Sequence, residues 1–454
     1  MKVFGSSGTR GVANVQLTPS FVLDVARGAG TVWRADRVAV GRDTRVTGRM
    51  LANAAASGLA STGSSVDRLG IIPTPGLQAY CAREGIPGVM ITASHNPPEY
   101  NGVKLVGDDG VELSVSDLER VEQKVLTDDY EPAPWNEVGD DHWVESARDE
   151  YVEELLANVD RDAIADADLT VALDPGHGAG CLTSPEFYRR LGCEVVTVNA
   201  QPDGHFPGRN PEPVAENLAD LGRLVRSADA DVGIAHDGDA DRAIFFDETG
   251  EYVEGDATLA ALAEADLEQG DVTVSAVNVS QRLVDVADRV DADLELTPIG
   301  STRIMTRIRQ LENEDKHVPV AGEGNGGVIF PPFALARDGA YTGARFLERL
   351  ADTTVSDLVD PYDEYYNVRV NIDYDSDAER DALLAAAEEH ALDADAQRTT
   401  IDGYRLDYGD AWVLARPSGT EPVVRIYAEA TTHERAEDLA NGFAADLRAA
   451  KASV

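Results

Sequence analysis

The 454-residue chain carries 82 acidic against 39 basic residues, a formal net charge of -43, and 43% of it is apolar. Like charges repel, so nucleic acid and anionic membrane surfaces are excluded as partners, while the apolar share is high enough for compact cores and excludes a disordered chain. At roughly 150 residues per domain, the length predicts about three domains, or four small ones.

Such an acidic excess weakens a compact fold in dilute buffer, but in molar salt the Debye length shrinks to about 3 Å and the repulsion is screened. The expectation is a halophilic protein, its acidic surface a solvation feature that says little about substrate. The cysteines, Cys81, Cys181 and Cys193, are odd in number and form no CxxC pair, which argues against a disulfide framework or a cysteine metal site. The N-terminus lacks an apolar leader segment, and no stretch approaches the ~18 apolar residues of a membrane span. A soluble, unprocessed, cytoplasmic protein is expected.

In chain order, a strand-to-loop transition near Val38 (VAVGRDTR) is followed by an amphipathic helical pattern and then by a second transition, Gly88 to Asn96 (GVMITASHN). The proline- and acid-rich stretch Asp128 to Asp141 reads as a linker. The same pair recurs as VALDPGHGAG near Val171 with DVGIAHDGDADR from Asp231 to Arg242. It recurs again as VTVSAVNVS near Val272 with VPVAGEGNGG from Val318 to Gly327. Three divergent α/β repeats are predicted. In open α/β sheets ligand groups gather beyond the carboxyl ends of strands, so three such domains around one cleft would each contribute a loop to a shared site. The remainder opens with an alternating segment from Tyr366, continues into an alanine-rich helix from Asp377 to His390, and closes with two strands and a helix from about His433. It predicts an α+β fourth domain. The expected domains are 1–145, 146–250, 251–365 and 366–454: three similar α/β domains around a shared cleft plus a C-terminal α+β domain.

The sharpest chemical cluster is His236-Asp-Gly-Asp-Ala-Asp-Arg242. Fully extended, Asp237 and Asp241 would lie about 13 Å apart, too far for ligands that must each approach a magnesium ion to about 2.1 Å. The chain must therefore curl, and Gly238 and Ala240 make the curl sterically cheap. An EF-hand loop is excluded, because Arg242 stands where its glycine is needed and a strand precedes the loop. An acidic surface turn is the plain alternative.

The second cluster runs from Thr92 to Lys104 (TASHNPPEYNGVK). Ser94 follows a strand, but Thr92 and Asn96 occupy the glycine positions of a hydrolase nucleophile elbow, so no esterase is implied. Two turns, at Asn96-Pro97 and Asn101-Gly102, account for the local shape and leave Ser94, His95 and Lys104 without a role. In the third cluster, Arg416-Pro-Ser-Gly-Thr-Glu-Pro422 with Arg425, glycine lets backbone donors converge, hydroxyls add more, and arginine forks suit phosphate; an anion clamp and an ordinary hairpin turn both fit. The fourth, Gly322-Glu-Gly-Asn-Gly-Gly327, could present Glu323 and Asn325 to sugar hydroxyls. It misses the GxGxxG spacing of a dinucleotide fold.

Taken together and in this order, TASHNPPEYNGVK, DGDADR, GEGNGG and RPSGTEP resemble the four loops of the α-D-phosphohexomutases, over essentially the whole chain. Gly8-Thr-Arg-Gly11 matches their N-terminal motif, and Asp203 to Pro213 is a further family-like stretch. The resemblance implies an isomerase that moves a phosphoryl group between the 6- and 1-positions of a hexose phosphate through a phosphoserine at Ser94 and a sugar bisphosphate intermediate. It implies one magnesium ion held by Ser94, Asp237, Asp239 and Asp241, with Arg10, His95, Lys104 and Arg242 around the transferring group. Glu323 and Asn325 would hold sugar hydroxyls, and Arg416, Ser418, Gly419, Thr420 and Arg425 the phosphate that does not react. Arg42 and Arg45 would add positive charge at the serine loop. The third loop departs from the Gly-Glu-x-Ser-Gly-His of many relatives: Asn325 replaces serine and Gly327 replaces histidine. The GSSGTRGV start is similar to phosphoglucosamine mutases, which ranks glucosamine phosphate ahead of glucose and mannose phosphates. A noncatalytic sugar-phosphate binder and a metal phosphatase are the competing classes.

Overall fold

Short runs without polar alternation, such as Val38-Ala-Val40 and Val89-Met-Ile91, demand burial on both faces, the condition of a parallel sheet covered by helices. The computed structural model, which describes residues 4–5, 8–418 and 422–453, builds such sheets from the first three parts of the chain. The first has the order Thr9–Val12, Tyr100–Val106, Gly88–Ile91, Arg37–Arg42, Ser65–Ile71, Asp141–Trp143. The second runs Tyr252–Val253, Ile244–Phe246, Val232–Ala235, Thr170–Asp174, Glu194–Thr197. The third runs Asp293–Thr297, Val272–Ala276, Ala321–Glu323, Gly327–Phe330, Ala334–Arg337.

The three sheets share one device. A strand that pairs in parallel with its neighbour (Gly88–Ile91, Val232–Ala235, Ala321–Glu323) turns over into an antiparallel partner (Tyr100–Val106, Ile244–Phe246, Gly327–Phe330). The three connections are the serine loop, the aspartate loop and the glycine-rich loop. Each lies at a strand's carboxyl end, where side chains leave the sheet without disturbing its core. The predicted repeats are therefore present as architecture.

The second and third sheets share one apolar core, in which Phe245 stacks on Phe346 with ring centroids 4.1 Å apart. The first has a core of its own around Val25, Leu51, Leu59 and Val89. The stretch from Asp128 to Asp141 does not behave as a free linker. Ala133 and Gly139 donate backbone hydrogen bonds to Ser61 and Ala60, and Asp141–Trp143 adds a parallel strand beside Ser65–Ile71. An acidic, proline-containing segment is ordered when its backbone donors find carbonyls on a neighbouring element.

The fourth sheet is antiparallel throughout, in the order Tyr366–Asp373, Val423–Ala430, Ala411–Pro417, Tyr404–Asp407, Gln397–Thr399. Helices Asp377–Asp393 and His433–Lys451 start at Ser376 and Thr432, whose hydroxyls accept from the N–H groups of Glu379 and Arg435 and satisfy a free first-turn donor. They cover a separate core around Leu383, Leu406, Ile426 and Phe443, which meets the third domain through Val277, Trp412 and Leu414. Among the described residues no helix is long and apolar enough to cross a membrane.

Candidate active site

Ser94 is buried and holds a left-handed backbone, φ 52°, a conformation that costs a non-glycine residue about 1–2 kcal/mol and survives only when its surroundings enforce it. The enforcement comes from Arg45. Its guanidinium donates to the carbonyls of Ser94 (2.8 Å), Asn96 (2.6 Å), Pro97 (2.6 Å) and Tyr100 (3.0 Å), and its Nε to Asp43 Oδ2 (3.0 Å). Thr92 Oγ1 donates to Asp43 Oδ2 at 2.7 Å and accepts from the Ser94 N–H at 2.9 Å. Arg45, expected to add positive charge at the serine loop, does lie against that loop, but its donors are spent inside the protein as the loop's brace. Arg42 is likewise turned back, donating to the Asp43 carbonyl at 3.0 Å.

The serine hydroxyl donates to Asp237 Oδ2 at 2.6 Å and lies 3.3 Å from His95 Nδ1. Burial, then the charges of Arg242 and Arg10, push the His95 imidazole far below its ordinary pKa, so the ring is neutral. Arg10 reaches the same loop, donating to Asn96 Oδ1 at 2.9 Å from a strand that pairs with Tyr100–Val106.

The aspartate loop curls as its spacing requires. Ala240 carries the left-handed residue, φ 55°, whereas Gly238 serves close approach: a Cβ there would lie 2.6 Å from the Ser94 carbonyl oxygen. Asp237, Asp239 and Asp241 are buried and can each place one oxygen within 4.8 Å of the others. Their oxygens divide cleanly. Asp239 Oδ2 accepts from Thr74 Oγ1 (2.6 Å) and Lys104 Nζ (3.1 Å). Asp241 Oδ2 accepts from Lys104 Nζ (3.0 Å) and Arg337 Nη2 (2.5 Å), and Asp237 Oδ2 accepts from Ser94. Among the described residues, all three Oδ1 atoms are buried without a hydrogen-bond partner.

Three buried carboxylates clustered together, each with an oxygen left unpaired among the described residues, are unfavourable without a cation. Burial, followed by the charges of Asp241 and Asp239, drives the Asp237 carboxyl well above its usual range. In Asp241 burial acts the same way, but Arg337, Lys104 and Arg242 outweigh it and hold the group below that range. An all-oxygen, carboxylate-rich donor set suits a hard divalent cation such as magnesium, so these residues fit the metal the sequence implies.

Lys104 also lies 3.5 Å from Glu112, and the three carboxylates around it outweigh its burial and keep it protonated. Arg242 is mostly buried, 4.0 Å from Asp241, and its Nε has no hydrogen-bond partner among the described residues. The glycine-rich loop joins this cluster through the Gly326 carbonyl, which accepts from the Ala243 N–H at 3.0 Å. Asn325 Oδ1 accepts from the Gly327 N–H at 3.1 Å, and the charge of Glu323 acts on Arg337. The first three loops therefore converge.

The fourth loop is placed differently. Arg416 is held by Asp402 Oδ2, at 3.1 Å from Nε and 3.0 Å from Nη2, and lies opposite Arg425 across two strands. The same Asp402 oxygen accepts from the Ile299 N–H of the third domain at 3.1 Å. The Ser418 N–H closes on the Val423 carbonyl at 2.8 Å, and Gly419 and Thr420 lie outside the described residues. Four side chains that build the site were not singled out from sequence: Arg337, Glu112, Thr74 and Asp402. Arg337-Asp-Gly339 after a strand was the only local hint, and its partner Asp241 is 96 positions away.

Three α/β sheets whose corresponding loops meet at a serine and three aspartates, with an appended α+β domain, define a phosphohexomutase architecture. Descriptions of phosphoglucomutase/phosphomannomutase alpha/beta/alpha domains I, II and III match residues 1–131, 149–250 and 254–365, and that of the C-terminal domain matches residues 367–446. The chain belongs to the phosphoglucomutase/phosphomannomutase family. It is 42% identical over 449 residues to the phosphoglucomutase/phosphomannomutase of Thermococcus kodakarensis, covering 96% of each chain. To the probable phosphoglucosamine mutase of Methanococcoides burtonii it is 38% identical over 434 residues, 95% of each. The crystal structure of a phosphoglucomutase/phosphomannomutase family protein from Burkholderia thailandensis superimposes with a TM-score of 0.87 at 28% identity, covering 99% of this chain and 97% of that one.

Proposed function

We propose that this phosphohexomutase interconverts the 6- and 1-phosphates of a hexose by way of a phosphorylated Ser94 and a sugar bisphosphate, with glucosamine phosphate as the preferred substrate. One observation carries the reading: Ser94 Oγ lies 2.6 Å from Asp237 Oδ2, beside three carboxylates that each keep one buried oxygen unpartnered among the described residues. A magnesium ion bound by Asp237, Asp239 and Asp241 would neutralise charge gathering on the phosphoryl oxygens.

The chain's own residues supply the rest. In the first half-reaction the bond between Ser94 Oγ and phosphorus breaks, a sugar hydroxyl oxygen takes the phosphoryl group, and its proton passes to the serine side. After the bisphosphate turns over, the other phosphate returns to Ser94 Oγ and the sugar oxygen recovers a proton. Phosphoryl transfer has a loose transition state with charge on the peripheral oxygens, so fixed cations do most of the work. Arg242, whose buried Nε has no partner among the described residues, and Arg10 are suited to it. Glu323 and Asn325 are proposed to read sugar hydroxyls. Arg416, Ser418 and Arg425, with Gly419 and Thr420, are proposed to grip the distal phosphate in either orientation of the sugar.

The preference for glucosamine phosphate rests on the N-terminal motif and on relatives such as the Methanococcoides burtonii protein, named a probable phosphoglucosamine mutase. The test is phosphorus NMR with magnesium, a trace of sugar bisphosphate and, in turn, glucosamine, glucose and mannose phosphates, together with the mass of the Ser94 peptide. A phosphoryl increment on that peptide and interconversion fastest with glucosamine phosphate are expected. Release of inorganic phosphate would make the protein a phosphatase; binding without turnover would make it a noncatalytic receptor. The net charge of -43 supports a cytoplasmic protein that needs high salt, to be checked by following the unfolding midpoint against potassium chloride. A midpoint independent of salt would refute it.

A further inference from the structure

Gly327 opens the strand Gly327–Phe330, which pairs with Ala334–Arg337 so that Ile329 lies opposite Arg337. Gly327 is then the diagonal neighbour of Arg337, a distance that long side chains span across a sheet. A Cβ built on Gly327 would lie 2.7 Å from Arg337 Cδ and 3.5 Å from its Nη1. The backbone there is not left-handed, so it does not itself require glycine. What disfavours a side chain is first the arginine lying across it and then Asn325 Oδ1, 3.0 Å from the same Cβ. From that seat the guanidinium passes from the third sheet into the aspartate loop and takes Asp241 Oδ2 at 2.5 Å. The side chain is buried.

We propose that Arg337 occupies the room left by the missing side chain at 327 and acts as a positioning residue, turning Asp241 so that its Oδ1 faces the metal position. Lys104 holds the same Oδ2 from the opposite domain at 3.0 Å. Two cations on one oxygen restrict the carboxylate, whose other oxygen is buried without a partner among the described residues. The room over Gly327 is filled from the next strand, and one residue ties the glycine-rich loop to the metal loop.

The inference rests on reading the Asp237 loop as a metal site, and a double-mutant cycle on the full-length protein separates the two. Manganese binding is measured by electron paramagnetic resonance for the natural chain, Gly327→Ala, Arg337→Gln, the double variant and Arg337→Lys, with circular dichroism as the check on folding. Removing an outer partner of a metal ligand costs about 10–100-fold in affinity, so Arg337→Gln is expected to weaken binding by about tenfold or more. Gly327→Ala, which removes no charge, is expected to weaken it through the displaced arginine, and to add no further loss once Arg337 is glutamine. Arg337→Lys should recover part of the affinity. Independent, additive effects of the two substitutions, or unchanged binding in Gly327→Ala, would overturn the proposal, the second even if Arg337→Gln fails to fold. A natural chain that binds no manganese would remove the metal reading and this inference with it.

Discussion

The loop around Ser94 and Asp237 and the loop around Arg416 hold their charges in opposite ways. In the first, the aspartates of the second domain are held from elsewhere, by Ser94, Thr74 and Lys104 of the first domain and Arg337 of the third, while Arg45 braces the serine loop from within the first. Buried carboxylates are costly unless paired, and cross-domain partners that fix one oxygen of each leave the other set in place before any ligand arrives. In the second, Arg416 is held by Asp402 of its own domain, which has its own core and meets the third domain through a small apolar cluster, through Asp402 and Glu429 on the Ile299 and Gln281 N–H groups, and through Arg405 on the Val277 and Val279 carbonyls. The difference teaches that the serine and aspartate loops are fixed by convergence of three domains, whereas the arginines proposed to grip phosphate sit on a separately cored domain. Such a domain can shift without disturbing the metal loop.

The comparison is broken most severely at the serine. Ser94→Ala should lose all turnover in the phosphorus NMR assay while sugar phosphate binding survives on the fourth-domain side; substantial interconversion would reject the covalent route. Next in size is the brace. Arg45→Ala leaves Asp43 buried without its charged partner and takes the guanidinium donors from four carbonyls, which should lower stability by about 3–5 kcal/mol, read as a shift in the urea midpoint. An unchanged midpoint would show that the serine loop holds itself.

A smaller effect sharpens the fixed side through pH. Burial raises the Asp338 carboxyl from 3.8 to about 6, opposed by donors on Tyr341 and Tyr151. The folded state binds this proton more tightly than the unfolded one, so the associated stability is complete below the unfolded value and is lost as pH rises through about 6. Asp338→Asn, which cannot ionise, should therefore gain on the natural chain by up to about 3 kcal/mol as pH rises across that window. Melting curves of the two proteins that stay parallel across it would refute the assignment. Smallest is Asp402→Ala, which frees Arg416 without touching the reacting groups. A charged hydrogen bond of this kind is worth about 1.5–3 kcal/mol, so KM should rise by about tenfold or more with kcat nearly unchanged. A fall in kcat with KM intact would place Asp402 on the fixed side instead.

Much of this was legible in order along the chain. The curl of the aspartate loop, the serine after a buried strand and the repeated strand-to-loop transitions follow from spacing and from apolar runs, both local properties. The role of Arg45 was not. An arginine two residues after Asp43 is equally suited to face a ligand or to turn inward, and only the carbonyls of Ser94, Asn96, Pro97 and Tyr100, brought beneath it by the first sheet, decide between the two. Asp128 to Asp141 was misread as a linker for a related reason: composition reports the cost of burying acidic side chains, not whether backbone donors will find partners.

By itself, then, the sequence determined which chemistry is available: a serine, three closely spaced aspartates, one lysine among them and glycines where backbones must meet. The tertiary structure alone decided which oxygen of each aspartate is held and which stays open, and that Arg337 crosses Gly327 to reach Asp241. The physical reason is that hydrogen-bond and ion-pair strength depends on approach to within a few ångströms. Sheet register and domain packing set that approach between residues far apart in the chain.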